Sequence, residues 1–296
     1  MEKIIQNKIN NILENTSHKL NLNINLVDTL VLSGGGARGL YYIGIFKKLE
    51  EKSILEKINN YAGSSIGAFF CVLLNIGYNT KELIDFFLLF NLDKIKKLTP
   101  SNFLTNLGLD EGKHFEFVLE KMFEIKKINK NITFKELYTK TKKELFITGV
   151  CINEKKCHYF SHKTTPNMQI IMAIRISTAM PIYFAPVKYN NKLWIDGGII
   201  NNYPIDIFRN NLNKVLGIYL QEKFEYTSIN NLEDYLVCLI QSLHEGYSLK
   251  AINGFENNTI VIKSEENVIS NNITKEKILE YINTGYIEIA NKILFI

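Results

Sequence analysis

The sequence predicts an α/β protein of three layers, in which helices cover both faces of a central, mostly parallel sheet. Three observations carry this. A β-branched and leucine run (Leu30, Val31, Leu32) leads through Ser33-Gly34-Gly35-Gly36-Ala37-Arg38-Gly39 into a helical pattern. A second short apolar run leads through Gly63-Ser64-Ser65-Ile66-Gly67 into another. Strand-like and helix-like stretches then keep alternating along the chain, as crossover helices joining parallel strands require.

Taken in order, residues 1–26 place Ile4, Ile5, Ile9, Ile12 and Leu13 at helical spacing, which predicts an amphipathic helix and linker over 1–27, ahead of one domain over 28–296. Residues 28–33 read as the first strand, and 40–52 as a helix with Ile43, Phe46 and Leu49 on its apolar face. Residues 58–63 form a second strand, followed by a helix at 66–76 so apolar all round that it should be buried. Helices follow at 80–97 and 114–128. Strands at 146–153 and 157–162 pair across the polar turn Glu154-Lys155-Lys156. A helix at 169–176 leads to a proline-punctuated stretch from Pro181 to Pro186, then to a hairpin turning at Asn190-Asn191. A strand at 214–220, a helix at 232–249, a strand at 259–263 and a helix at 275–294 complete the pattern.

With 296 residues, 46% hydrophobic and 22% charged, the chain can fill one large core without disulfide staples. Its formal charge of +5 is scattered through lysine pairs and forms no basic stripe, so no nucleic-acid partner is expected. Cys71 and Cys238 lie in apolar helical runs; Cys151 and Cys157 are spaced so that they could approach each other across a hairpin, with reduced thiols expected. The N-terminus lacks the apolar core of a signal peptide, and no apolar run approaches the roughly 20 residues of a membrane span. A cytoplasmic protein is expected, with peripheral contact at membranes open to it.

The chemistry lies in the two glycine-flanked turns. A glycine-rich strand-to-helix turn presents free backbone N–H groups that hold a negative oxygen. A serine with glycine at ±2 can stand on a sharp turn with its hydroxyl exposed. Acyl transfer needs both, and it needs a base, since a serine hydroxyl is a poor nucleophile by itself. Asp196 closes the run Leu193-Trp194-Ile195 and precedes Gly197-Gly198, where the backbone can turn sharply and let another segment approach.

On these residues the chain resembles the patatin-like phospholipases, a fold related to the α/β hydrolases. The match comprises the glycine loop, the Ser65 elbow, the block Arg175-Ile176-Ser177-Thr178-Ala179-Met180-Pro181, and Asp196-Gly197-Gly198 followed by Asn201-Asn202-Tyr203-Pro204. Met180 stands where a small apolar residue is usual. The resemblance implies a Ser65–Asp196 dyad without histidine, and an oxyanion hole from Gly34, Gly35, Gly36, Arg38 and Gly39. It implies no cofactor and no metal, and as partner a phospholipid or other lipid ester at a membrane surface, with any activating protein left open. The implied reaction releases fatty acid and lysophospholipid; neutral-lipid or broad esterase activity is the alternative. Arg38 either meets a substrate phosphate or braces the loop. Ser64 and Ser177 are expected to make local backbone hydrogen bonds.

Three rival readings arise. Gly34, Gly36 and Gly39 also spell G-x-G-x-x-G, but residues 58–63 lack the acidic group a dinucleotide's ribose needs. A Ser65–Asp196–His244 triad has plausible chain order, yet His244 sits in a helical pattern rather than a loop. A non-catalytic membrane binder would use the aromatic stretch Leu83-Ile84-Asp85-Phe86-Phe87-Leu88-Leu89-Phe90, whose alternative is a buried helix. His158 and His162 lack the partners that would complete a metal site.

Overall fold

A computed structural model describes residues 20, 22–90, 105–222, 229–230, 235, 238–239, 242, 251–264 and 273–293. The expected N-terminal helix, the end of the helix expected at 80–97 and nearly all of that expected at 232–249, including His244, lie outside the described residues.

The main sheet has eight strands. β1 (Thr29–Leu32) pairs in parallel with β2 (Asn60–Gly63) on one side and β9 (Val215–Glu222) on the other. β10 (Thr259–Ser264) extends the parallel run beyond β9, and β4 (Glu144–Cys151) extends it beyond β2. Past β2, β4 continues alone and takes antiparallel neighbours, β5 (Lys156–Phe160) and β8 (Lys192–Asp196); β7 (Val187–Tyr189) closes that edge. Asn190 and Asn191 turn the β7–β8 hairpin with φ of 49° and 58°, the double left-handed geometry that asparagine tolerates and two-residue hairpins demand. β3 (Gly108–Asp110) and β6 (Ile182–Phe184) form a separate parallel pair, which the sequence pattern did not reveal.

Alternation along the strands divides the core into two. Leu30, Leu32, Tyr61, Leu216, Ile218, Leu220, Ile260 and Ile262 face one large cluster. Val31, Ala62, Val215 and Tyr219 point the other way, into a smaller cluster capped by Tyr203, Ile205 and Phe255. The large cluster packs against α1 (Leu40–Glu51), α2 (Ile66–Asn75) and α7 (Lys275–Lys292). The opposite face is covered by the irregular 3-10 segment Pro204–Lys214. These are the expected three layers; among the described residues the second cover is chiefly the wound segment Pro204–Lys214. Every residue of α2 after Ile66 is buried, as its all-round apolarity requires.

α3 (Thr80–Leu89) starts at a reciprocal capping box between Asn79 and Glu82. α4 (Lys113–Ile125) follows β3, and α5 (Phe134–Thr141) begins at a second box between Thr133 and Glu136. That Thr-x-x-Glu signal was legible in the sequence and announces a helix not otherwise expected. α6 (Ile170–Ser177) precedes β6. Of the aromatic stretch considered for membrane insertion, Phe87 is 5% exposed and packs on Phe70 at 5.8 Å, so it belongs to the core. Among the described residues no helix is long and apolar enough to cross a membrane. All four cysteines are free.

α1 and α7 touch at backbone distance. A Cβ on Gly44 would collide with the Ile282 carbonyl oxygen and come within 2.7 Å of the Tyr286 nitrogen. Alanine gains helix propensity worth about 1 kcal/mol over glycine, but overpacking against backbone costs about 1–3 kcal/mol. Gly44→Ala is therefore expected to lower the thermal midpoint, measured by circular dichroism; a rise would mean the helices can part freely.

Candidate active site

Strand register brings the site together. Gly63 of β2 lies opposite Ile147 of β4, so Gly149, two residues further along β4, stands at the height of Ser65. Gly149 in turn pairs with Asp196, the last residue of β8. Because β8 runs antiparallel to β4, the carboxylate reaches that height from the direction opposite to the serine.

Ser65 is the residue just before α2, at φ 51° and ψ −124°. A non-glycine residue there is strained by about 1–3 kcal/mol and has to be held by its surroundings. The holding contacts are visible. The Ser65 N–H donates to Ser177 Oγ at 3.0 Å, and the Phe69 N–H donates to the Ser65 carbonyl at 3.1 Å. Both flanking glycines are sites of close approach: a Cβ on Gly63 would lie 2.5 Å from the Ala68 nitrogen, and one on Gly67 would press on the Leu32 and Ser33 carbonyl oxygens. Strand, turn and helix can stack this tightly only without those two side chains. Ser177 thus makes a backbone hydrogen bond, but to a residue 112 positions away rather than a local one.

Ser65 Oγ donates to Asp196 Oδ2 at 2.6 Å, within the range of a charge-assisted hydroxyl–carboxylate bond. The other carboxylate oxygen, Oδ1, accepts the Gly198 N–H at 2.7 Å, and the Asp196 N–H donates to the Ala179 carbonyl at 3.0 Å. Asp196 is 5% exposed. Burial pushes its carboxyl up to about 7, against the opposing pull of the Ser65 and Gly198 hydrogen bonds. A carboxylate of ordinary acidity would be a feeble acceptor for a serine proton; one near 7 is matched to the task.

Beside this pair the glycine loop turns from β1 into α1 through the 3-10 turn Gly36–Gly39. Gly36 has φ 54°, a left-handed conformation that suits glycine. The N–H groups of Gly35, Gly36 and Ala37 have no hydrogen-bond acceptor among the described residues. Two of the expected donors are engaged elsewhere: the Gly34 N–H donates to the Asn202 carbonyl at 3.1 Å, and the Arg38 N–H to the Gly35 carbonyl at 3.1 Å. Gly39 packs against Ile66 at the start of α2, where a Cβ would collide with the isoleucine. The Ala37 N–H, not singled out from the sequence, is left open beside them; its place directly after the glycine triplet was the available signal. The Arg38 side chain is 3% exposed and its Nε donates to the Gly35 carbonyl at 3.2 Å, which braces the loop from inside.

Two of the histidines weighed in the sequence, His158 and His162, have partners other than Ser65 and Asp196. His158 contacts Glu154 at 2.6 Å, and His162 stacks on Tyr138 with ring centroids 3.9 Å apart. Among the described residues no cluster of three metal-ligating side chains occurs.

A strand-to-helix serine beside a buried carboxylate and a glycine amide loop, on a three-layer α/β scaffold, is an arrangement suited to hydrolases of acyl esters. The patatin-like phospholipase family model matches residues 30–209, and the chain belongs to that family. It is 40% identical over 195 residues to the "Probable lipid hydrolase 463L" of Invertebrate iridescent virus 6, an overlap of 63% of this chain and 66% of that protein. It is 28% identical over 209 residues to the "cGAMP-activated phospholipase" of Escherichia coli (strain TW11681), covering 62% of this chain and 56% of the other. Among solved structures, VipD from Legionella pneumophila superposes with a TM-score of 0.58 at 17% identity, over 90% of this chain and 66% of VipD. The type III effector protein ExoU does so with a TM-score of 0.54 at 18% identity, over 90% of this chain and 52% of ExoU. The chain thus spans about two thirds of VipD and about half of ExoU. These likenesses establish the patatin-like fold and a lipid-hydrolase family.

Proposed function

We propose that the protein is a phospholipase A-type acyl hydrolase that cleaves fatty-acyl esters of glycerophospholipids through a Ser65–Asp196 dyad. The observation that carries the reading is the 2.6 Å hydrogen bond from Ser65 Oγ to a buried carboxylate, beside a loop in which the Gly35, Gly36 and Ala37 amides have no acceptor among the described residues. Ser65 Oγ attacks the ester carbonyl carbon while its proton passes to Asp196 Oδ2. The carbonyl oxygen becomes an oxyanion, which the N–H groups of Gly35, Gly36 and Ala37 would stabilise; one such donor is typically worth about 2.7–4 kcal/mol. The C–O bond to the glycerol then breaks, and the proton on Asp196 goes to the departing lysophospholipid oxygen. Water repeats the sequence on the acyl-enzyme, with Asp196 again taking the proton, and free fatty acid leaves.

The test is to incubate purified protein with vesicles of mixed glycerophospholipids and triacylglycerol in chelator, and to identify released lipids by mass. Fatty acid and lysophospholipid should appear, and a Ser65→Ala variant should release neither. Fatty acid and diacylglycerol alone would shift the assignment to neutral lipid. Hydrolysis undiminished by Ser65→Ala would remove the dyad altogether.

The dyad sets a pH dependence. Asp196 works as the carboxylate, and burial holds its pKa near 7, so the active form grows as pH rises through that value. Below it, kcat/KM for a soluble ester should fall about tenfold per pH unit. A profile flat from pH 5 to 8 would mean that another group takes the serine proton.

A further inference from the structure

The loop that bears the amides and the turn that bears Asp196 are separate in sequence, and one residue joins them. The Asn202 backbone carbonyl accepts the Gly34 N–H at 3.1 Å, while its side-chain Nδ2 donates to the Gly34 carbonyl at 3.4 Å. Asn202 thus meets both backbone polar groups of Gly34, sharing the carbonyl with Ser33 Oγ, which donates to it at 2.9 Å. Its Oδ1 fills the space that a side chain on Gly34 or on Gly198 would need; a Cβ on Gly198 would lie 2.6 Å from that oxygen and 3.1 Å from Asp196 Oδ1. The glycines at 34 and 198 thus have a shared reason: both leave room for the same amide.

The residue beside it fixes the clasp from behind. Asn201 Nδ2 donates to the Tyr159 hydroxyl at 2.8 Å and to Asp206 Oδ1 at 3.0 Å, and its Oδ1 accepts the Tyr203 N–H at 3.1 Å. These bonds tie the segment to β5 and to the 3-10 turn that starts at Pro204. The segment cannot drift without breaking them together.

We propose that Asn202 is a positioning residue for the oxyanion loop, setting the height of the Gly35, Gly36 and Ala37 amides relative to Ser65 and Asp196. The proposal rests on the hydrolase reading above. Asn202 touches no reacting atom; it acts through Gly34. A displacement of about 1 Å in such a loop is worth on the order of 100-fold in rate.

The experiment compares wild type, Asn202→Ala and Asn202→Asp with a water-soluble p-nitrophenyl ester, after titrating competent Ser65 with a fluorophosphonate. Hydrogen exchange of the peptide covering residues 33–38 is followed in parallel. Expected for Asn202→Ala is a kcat per titrated serine lower by about 100-fold, a KM within threefold of wild type, and exchange in 33–38 about tenfold faster. Asn202→Asp keeps the volume but turns an oxygen toward the Gly34 carbonyl, so its kcat should fall at least as far. A merely structural role would lower the titre of competent serine and leave kcat per serine intact. That result, or faster exchange with unchanged kcat, overturns the proposal. If the wild type shows no Ser65-dependent hydrolysis, the function proposed above fails instead, and the exchange measurement alone decides whether Asn202 holds the loop.

Discussion

Asp196→Asn is expected to lower kcat by about 10²- to 10⁴-fold and to make the protein more stable at neutral pH. The amide is nearly isosteric, and its oxygen can still accept the Gly198 N–H that now reaches Oδ1 at 2.7 Å. What it cannot do is take the Ser65 proton, so labelling of Ser65 by a fluorophosphonate should slow in step with turnover. The stability change follows from the raised carboxyl. In the unfolded chain Asp196 loses its proton near 3.8, whereas in the folded protein burial holds the proton until about 7. Between those values the folded state binds more protons than the unfolded one, so stability falls as pH rises through the window. Above pH 7 the wild type carries the full cost of a buried carboxylate, up to about 4 kcal/mol, which the neutral amide avoids. Denaturant unfolding should show Asp196→Asn ahead of wild type at pH 8 and level with it near pH 4. An asparagine variant no more stable at pH 8, or one that retains turnover, would contradict the burial and the base role respectively.

Gly67→Ala should be the most damaging small substitution in the elbow. In an ordinary helix the change would stabilise by about 1 kcal/mol. Here the new methyl would meet two backbone carbonyl oxygens at the end of β1, that of Ser33 at 2.5 Å. Those oxygens belong to the central strand and to the loop carrying the amides, so neither can yield without moving the site. A loss of about 3 kcal/mol is expected, read as a lower urea midpoint, together with loss of Ser65 labelling. Gly77→Ala provides the contrast. No atom lies within 4 Å of its Cβ position, and only a φ of 92° opposes the change, so about 1 kcal/mol should be lost and labelling kept. Equal effects at the two positions would show that conformation, not close approach, governs the glycine at 67.

The fold was legible where periodicity was strong. The glycine loop, the elbow and the strands flanking them fall within one or two residues of their expected places, because short apolar runs bounded by glycine leave few alternatives. β3 and β6 escaped notice because each is three residues long and neither Gly-Leu-Asp nor Ile-Tyr-Phe alternates apolar with polar side chains. Ile182 even opens β6 at φ 76°, a conformation no propensity would suggest for a β-branched residue. α5 was overlooked although Thr133 and Glu136 announced it. At the site, the closeness of Ser65 and Asp196 could be anticipated from two glycine-rich turns. What could not be read was which of the loop amides have acceptors within the fold. Whether Gly34 is free depends on Asn202, which is 168 residues away, and only the folded chain brings that partner into view.

The same separation has a consequence for the nascent chain. Ser65 and Asp196 are 131 residues apart, and between β1 and β10 the sheet waits for β9, which begins at Val215. A nascent chain that ends soon after the elbow therefore carries Ser65 without the Asp196 carboxylate and without the Asn202 amide that contacts Gly34. On the hydrolase reading proposed above, a fragment that ends before Asp196 should not be labelled at Ser65 by a fluorophosphonate.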